Sequence, residues 1–272
     1  MSGSAQSAGR GTVQDGLFFS PTLGRPWPYR VYLPPGPLPA RLPTLYLLHG
    51  RGADHTAWTE AGGVAALLDR EIGCGRVPPL LVVMPDAGSS WYVDGAEPLE
   101  SAFFHDFLPH IEGRYPGTPA RAGRALAGCS MGGYGALRYL LTHPEHFGAA
   151  LLLSPAIYDG LPPAESTIPT LPAFGQPFDP ARWATLNYPA QLRALPDPTA
   201  VFVASGDADR THGDARCNVE VQAALLHARL RGLGVSSSLR VFPGGHDWSV
   251  WRPALVEGLR WLAAGWLPGH GR

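Results

Sequence analysis

Gly128-Cys129-Ser130-Met131-Gly132 closes an apolar run, Ala125 to Cys129, and leads at once into the helix-like Gly133-Tyr134-Gly135-Ala136-Leu137-Arg138-Tyr139-Leu140-Leu141. A serine at a sharp strand-to-helix turn is forced outward with its hydroxyl exposed. Glycine is needed two residues to either side, because a Cβ there would clash as the backbone folds back. The pentapeptide therefore predicts a nucleophile elbow carrying Ser130. With 34 glycines in 272 residues such a pattern also arises by accident, so its weight depends on what else the chain carries.

Two later segments carry matching chemistry. Thr199 to Ser205 is a short apolar, β-branched and aromatic run that Gly206-Asp207-Ala208-Asp209 breaks, which sets two carboxylates on the loop at the C-terminal end of a strand. A triad acid belongs there. Further on, a strand-like Ser238 to Phe242 ends in Pro243-Gly244-Gly245, and His246 precedes a last amphipathic helix, Trp248 to Trp266. Serine, acid, histidine is the chain order of α/β-hydrolases and differs from the orders in chymotrypsin and subtilisin. An early strand, Thr44 to Leu48, runs into His49-Gly50-Arg51-Gly52. Acyl transfer needs two backbone N–H donors aimed at the developing oxyanion; Met131, next to the serine, supplies one, and Arg51, on the loop after the early strand, is the candidate for the other.

Apolar runs at residues 30–33, 44–48, 80–84, 125–129, 149–153, 199–204 and 239–242 alternate with helix-like stretches. Near-continuous apolar runs mark strands buried on both faces, so the expected architecture is α/β: a mostly parallel central sheet flanked by helices, with substrate approaching the C-terminal strand ends. Residues 156–198 break the pattern, with nine prolines from Pro162 to Pro198 among Phe174, Phe178, Trp183 and Tyr188. That is too long for an ordinary loop and predicts a cap-like insertion whose Phe174 and Trp183 cover Ser130. Trp91, Tyr92 and Trp248 are candidates for an aromatic acyl or alcohol pocket.

Tyr46-Leu47-Leu48-His49-Gly50, Met84-Pro85-Asp86, Ser90-Trp91-Tyr92, the block from Gly128 to Leu137, His143-Pro144-Glu145-His146-Phe147 and Gly245-His246-Asp247-Trp248-Ser249-Val250-Trp251 together resemble the "putative esterase" family. Esterase D, feruloyl and acetyl xylan esterases and the mycobacterial mycolyltransferases are its members. The resemblance spans residues 28–266. It implies an α/β-hydrolase fold, Ser130 as nucleophile, His246 as base, Asp209 rather than Asp207 as acid, and Met131 and Arg51 as oxyanion donors. S-formylglutathione hydrolases of this family usually carry histidine where this chain has Tyr134, which tells against that specificity.

Composition narrows the remaining possibilities. A chain of this length that is 45% hydrophobic can bury one sizeable core, so one domain is expected over residues 16–272, with 1–15 a disordered N-terminus. A formal net charge of −1 without a basic run argues against nucleic acid or an anionic membrane as partner. All 21 basic residues are arginine, which excludes Schiff-base chemistry, P-loops and Ser-Lys dyads, since each requires an ε-amine. The first eleven residues have no apolar segment of the secretory kind, which predicts a cytoplasmic protein. Cys74, Cys129 and Cys217 form neither a disulfide framework nor a zinc motif, and no metal or cofactor is implied. Cys129 is read as a small buried side chain, His49 as a brace for the oxyanion loop, and Asp86 as a loop carboxylate. His143 and His146 are read as residues favoured by a helix C-terminus.

The expected function is serine ester hydrolysis on a small-molecule or carbohydrate ester, with acetyl, short acyl or hydroxycinnamoyl groups as candidates. Acyl transfer through the same acyl-enzyme is the alternative, and a noncatalytic ligand-binding module the reading from another class.

Overall fold

A computed structural model describes residues 9–210 and 213–266 of the chain. Eight strands form one sheet: β1 Thr12–Ser20, β2 Arg25–Leu33, β3 Thr44–Leu48, β4 Leu81–Pro85, β5 Arg124–Cys129, β6 Ala149–Leu153, β7 Ala200–Gly206 and β8 Ser236–Phe242. Their order is β1-β2-β4-β3-β5-β6-β7-β8. Strands β3 to β8 run parallel, while β2 is antiparallel to both β1 and β4.

Four helices of ten or more residues cover the sheet: α1 Val64–Gly73, α2 Met131–Thr142, α3 Val219–Gly232 and α4 Trp248–Trp266. The central strands alternate between two apolar layers. Tyr46, Leu126, Leu152 and Val203 face α2 and α3; Leu47, Ala127, Leu151 and Phe202 face α1 and α4. Both faces are therefore buried, which is why β3 to β6 contain so few polar residues and why the helices must lie on both sides. No helix among the described residues is long and apolar enough to cross a membrane.

The N-terminal expectation needs correction. Thr12 to Asp15 belong to β1, paired with β2 from Thr12 opposite Leu33 to Ser20 opposite Arg25; residues 1–8 lie outside the described residues. β1 is an edge strand whose side chains are mostly exposed, so it lacks the apolar density that marks the inner strands. Pro26 and Pro28 obscure β2 in the same way, since proline cannot donate to a ladder.

Candidate active site

Ser130 sits between β5 and α2 with φ 55° and ψ −118°, a left-handed conformation that a side chain adopts only when its surroundings hold it there. The flanking glycines let the backbone close. A Cβ on Gly128 would meet the Gly132 carbonyl oxygen at 2.3 Å, and one on Gly132 would meet the Leu48 oxygen at 2.4 Å. The Ser130 amide donates to the Leu153 carbonyl (3.0 Å), while its carbonyl accepts from Tyr134 (3.1 Å) and Ala156 (3.0 Å). Thus the elbow is tied to β6 and to its own helix. Met131 opens α2, so its amide has no carbonyl one turn behind to bond.

Asp209 follows β7 and His246 follows β8, both at the strand ends that also carry Ser130. Their loops are pressed together: a Cβ on Gly206 would meet the Gly244 oxygen at 2.2 Å, and the Ala208 amide donates to that same oxygen at 2.9 Å. His246 Nδ1 lies 2.9 and 3.1 Å from the Asp209 carboxylate oxygens, and its Nε2 lies 2.8 Å from Ser130 Oγ. The Asp209 side chain is fully buried and that of His246 about a quarter exposed. An ionised carboxylate only accepts, so Nδ1 carries the imidazole hydrogen and Nε2 is left to accept from the serine hydroxyl. Asp207 is turned away: its exposed carboxylate accepts from the Gly244 amide at 3.0 Å.

On the other side of the serine, His49 Nε2 accepts from the Ala87 amide (2.9 Å) and Nδ1 donates to the Gly50 carbonyl (2.8 Å). Tyr92 Oη donates to the His49 carbonyl (3.0 Å), and Trp58 Nε1 to that of Leu48 (3.0 Å). The Gly50-Arg51 turn is thereby fixed beside Ser130: a Cβ on Gly50 would stand 3.6 Å from the serine Cβ. Cys129, although next to the serine, is inert. Burial pushes its thiol up to about 12, so almost no thiolate exists near neutrality.

Ser130 and His246 open on a cleft of about 520 Å³, with Arg51, Trp91 and Trp248 in its lining. Tyr92, Phe174 and Trp183 are not in that lining. Tyr92 is buried behind the wall against Gly135, where a Cβ would approach the ring to 2.5 Å. Phe174 and Trp183 pack on each other (4.9 Å between ring centres) and on Tyr134, which makes them core of the α2 face rather than a cover. From the 156–198 segment only the early part reaches the cleft, through Ala156, Tyr158 and residues 165–168. The later part is bound to α2; its Leu186 carbonyl accepts from Tyr134 Oη (2.8 Å) and Arg138 (2.9 Å). Trp251 went unassigned in the sequence, yet it lines the cleft and its ring stands at 88° to His246, 5.2 Å away. Its signal was its place one turn into the helix that follows His246.

A family model described as "Putative esterase" matches residues 20–262. The endo-1,4-beta-xylanase/feruloyl esterase of Xylanibacter ruminicola is 32% identical over 160 residues, which is 54% of this chain and 22% of that protein. The iron(III) salmochelin esterase of Escherichia coli O6:H1 is 28% identical over 212 residues, 76% of this chain and 48% of that one. The chain thus spans less than half the length of either relative. Among solved structures, a ferulic acid esterase superposes with a TM-score of 0.80 at 27% identity, covering 95% of this chain and all of the other. The fold is that of the α/β-hydrolase esterases.

Proposed function

The chain belongs to the "Putative esterase" family, and from that membership we propose that it is a serine carboxylic-ester hydrolase. The observation that carries the reading is the continuous path from the buried Asp209 carboxylate through His246 to Ser130 Oγ, with both hydrogen-bond distances at or below 2.9 Å. Ser130 Oγ attacks the ester carbonyl carbon while His246 Nε2 takes its proton. Asp209 holds the imidazole in the required tautomer and stabilises the imidazolium that forms. The Met131 and Arg51 amides donate to the oxyanion, in a place where preorganised donors strengthen as charge develops. Collapse expels the alcohol, which receives its proton from His246 and leaves an acyl group on Ser130. Water, deprotonated by the same histidine, then attacks the acyl carbonyl and regenerates the serine.

The aromatic cleft wall of Trp91, Tyr158, Trp248 and Trp251 suits an apolar or aryl group, and esters with short acyl or hydroxycinnamoyl groups are the proposed substrates. A fluorophosphonate should label the protein at Ser130 by peptide mapping. Ser130→Ala should abolish labelling and lower turnover of such esters by roughly 10⁵ to 10⁶, because nucleophile and base act as a unit. Labelling elsewhere, or a mutant that keeps a tenth of the activity, refutes the assignment.

A further inference from the structure

We propose that Trp91 selects the substrate: its indole N–H donates to an oxygen carried by the acyl or alcohol group in the cleft, favouring oxygen-bearing esters over their hydrocarbon counterparts. This rests on the ester-hydrolase reading and adds a recognition element to it. Trp91 lines the cleft beside Ser130 and is only 3% exposed, yet its Nε1 has no acceptor within the protein. Other deeply buried indoles are served. Trp27 donates to the Asp86 carbonyl (2.6 Å), Trp58 to that of Leu48 (3.0 Å) and Trp183 to that of Gly160 (2.8 Å). A buried donor left unpaired is costly, so protein interiors pair them almost without exception. Two indole nitrogens are exceptions here, those of Trp91 and Trp251, and both rings line the cleft that holds the nucleophile; Trp91 is the more deeply buried of the two.

Trp91 is also held there at a cost in backbone strain. Trp91 and Tyr92 have φ of 60° and 56°, two successive left-handed residues with neither a glycine nor an asparagine among them, and such strain persists only where neighbours over-determine it. Those neighbours are visible. The Tyr92 amide donates to Ser90 Oγ (3.1 Å) and its hydroxyl to the His49 carbonyl (3.0 Å). The Trp91 ring is itself wedged against Tyr134 (6.1 to 6.4 Å between centres for its two ring neighbours) and Phe174. The indole is packed in place rather than free to turn toward another acceptor. A fixed donor on the cleft wall that has no partner in the protein gains one only from what enters the cleft, and a guest without an oxygen leaves it unpaired. Sites of this kind discriminate more sharply than apolar contact alone.

The test compares methyl cinnamate with its 3- and 4-hydroxy and methoxy derivatives, and benzyl acetate with its methoxy derivatives, in the wild type and in Trp91→Phe, which keeps a ring and removes the N–H. Ratios of kcat/KM within each pair cancel intrinsic ester reactivity. Within at least one pair the variant should lose about 5- to 30-fold more on the oxygen-bearing ester than on its hydrocarbon parent. Equal losses across every pair overturn the proposal. A wild type inactive on all the esters overturns the hydrolase reading instead. Should Trp91→Phe fail to fold, the indole N–H resonance of Trp91 in Ser130→Ala decides. It should move downfield on adding the preferred ester and stay put with its hydrocarbon parent; no movement with any ester refutes the donor.

Discussion

At the residue scale, the two aspartates after β7 differ in what they touch. Asp209 is buried against His246 Nδ1, whereas Asp207 is exposed and braces the Gly244 amide. Asp209→Asn should therefore cost on the order of 10⁴ in turnover, because an amide permits the wrong histidine tautomer, while Asp207→Asn should cost less than tenfold. Steady-state kinetics on one activated ester checks both, and the reverse ranking refutes the assignment. Ser130 and His246 were legible in the sequence because an elbow and a histidine after a strand each leave a local mark. The choice between Asp207 and Asp209 was not, since their spacing to the strand differs by a single turn of loop; only the family pattern favoured the second. Aromatic residues were the least legible. Trp91 and Tyr92 are neighbours, yet one faces the cleft and the other is buried behind it, because the strained turn sends successive side chains in different directions.

At the element scale, the loops that carry Asp209 and His246 are packed as one piece. Gly206 ends β7 directly beneath Gly244, with no room for a Cβ against backbone that cannot swing aside. Gly206→Ala should therefore move the β8–α4 loop by a good fraction of an ångström and lower kcat/KM by roughly 10- to 100-fold, the usual penalty for misplacing a catalytic group by that much. Gly232→Ala, at the end of α3 where an added Cβ meets nothing within 4 Å, should leave activity unchanged and stability equal or slightly higher. A neutral Gly206→Ala would show that the two loops are not coupled. The inner strands were readable from their apolar density, but β1 was not. Its partner β2 shelters one edge only, so Val13, Leu17 and Phe19 remain exposed among polar neighbours, and strand pairing rather than burial defines the element. The 156–198 segment looked like a cover from its length and prolines. Composition does not say what a segment packs against, and here Arg138 and Tyr134 of α2 bind its later part.

At the scale of the whole molecule, α1 and α4 are joined by one carboxylate. Glu71 is fully buried and is bonded by Arg76 and Arg260 at 2.8 Å each and by Arg70 at 3.2 Å. Burial alone would raise its carboxyl, but the three guanidinium groups outweigh that and hold it at about 2. A depressed folded-state value means that the stabilisation is present above the ordinary value of 4.5 and fades as pH falls from there toward 2. Glu71→Gln should cost on the order of 1 to 2 kcal/mol at neutral pH, since it leaves three arginines without their carboxylate, although each is about half exposed and solvent screens their repulsion. The gap in melting temperature between wild type and variant should narrow from pH 5 to pH 2; a constant gap would refute the linkage. The same view of the molecule bears on how function is lost. Ser130 rides on β5, enclosed on every side, whereas its two partners ride on β7 and on β8, the half-exposed rim of the sheet. Asp209 and His246 sit on loops packed against each other, so when β8 frays the contact expected to open first is the one between Ser130 and His246. Heat or denaturant that frays the rim should therefore abolish ester turnover while the spectroscopic signature of the core is still intact, so that activity is the earlier alarm.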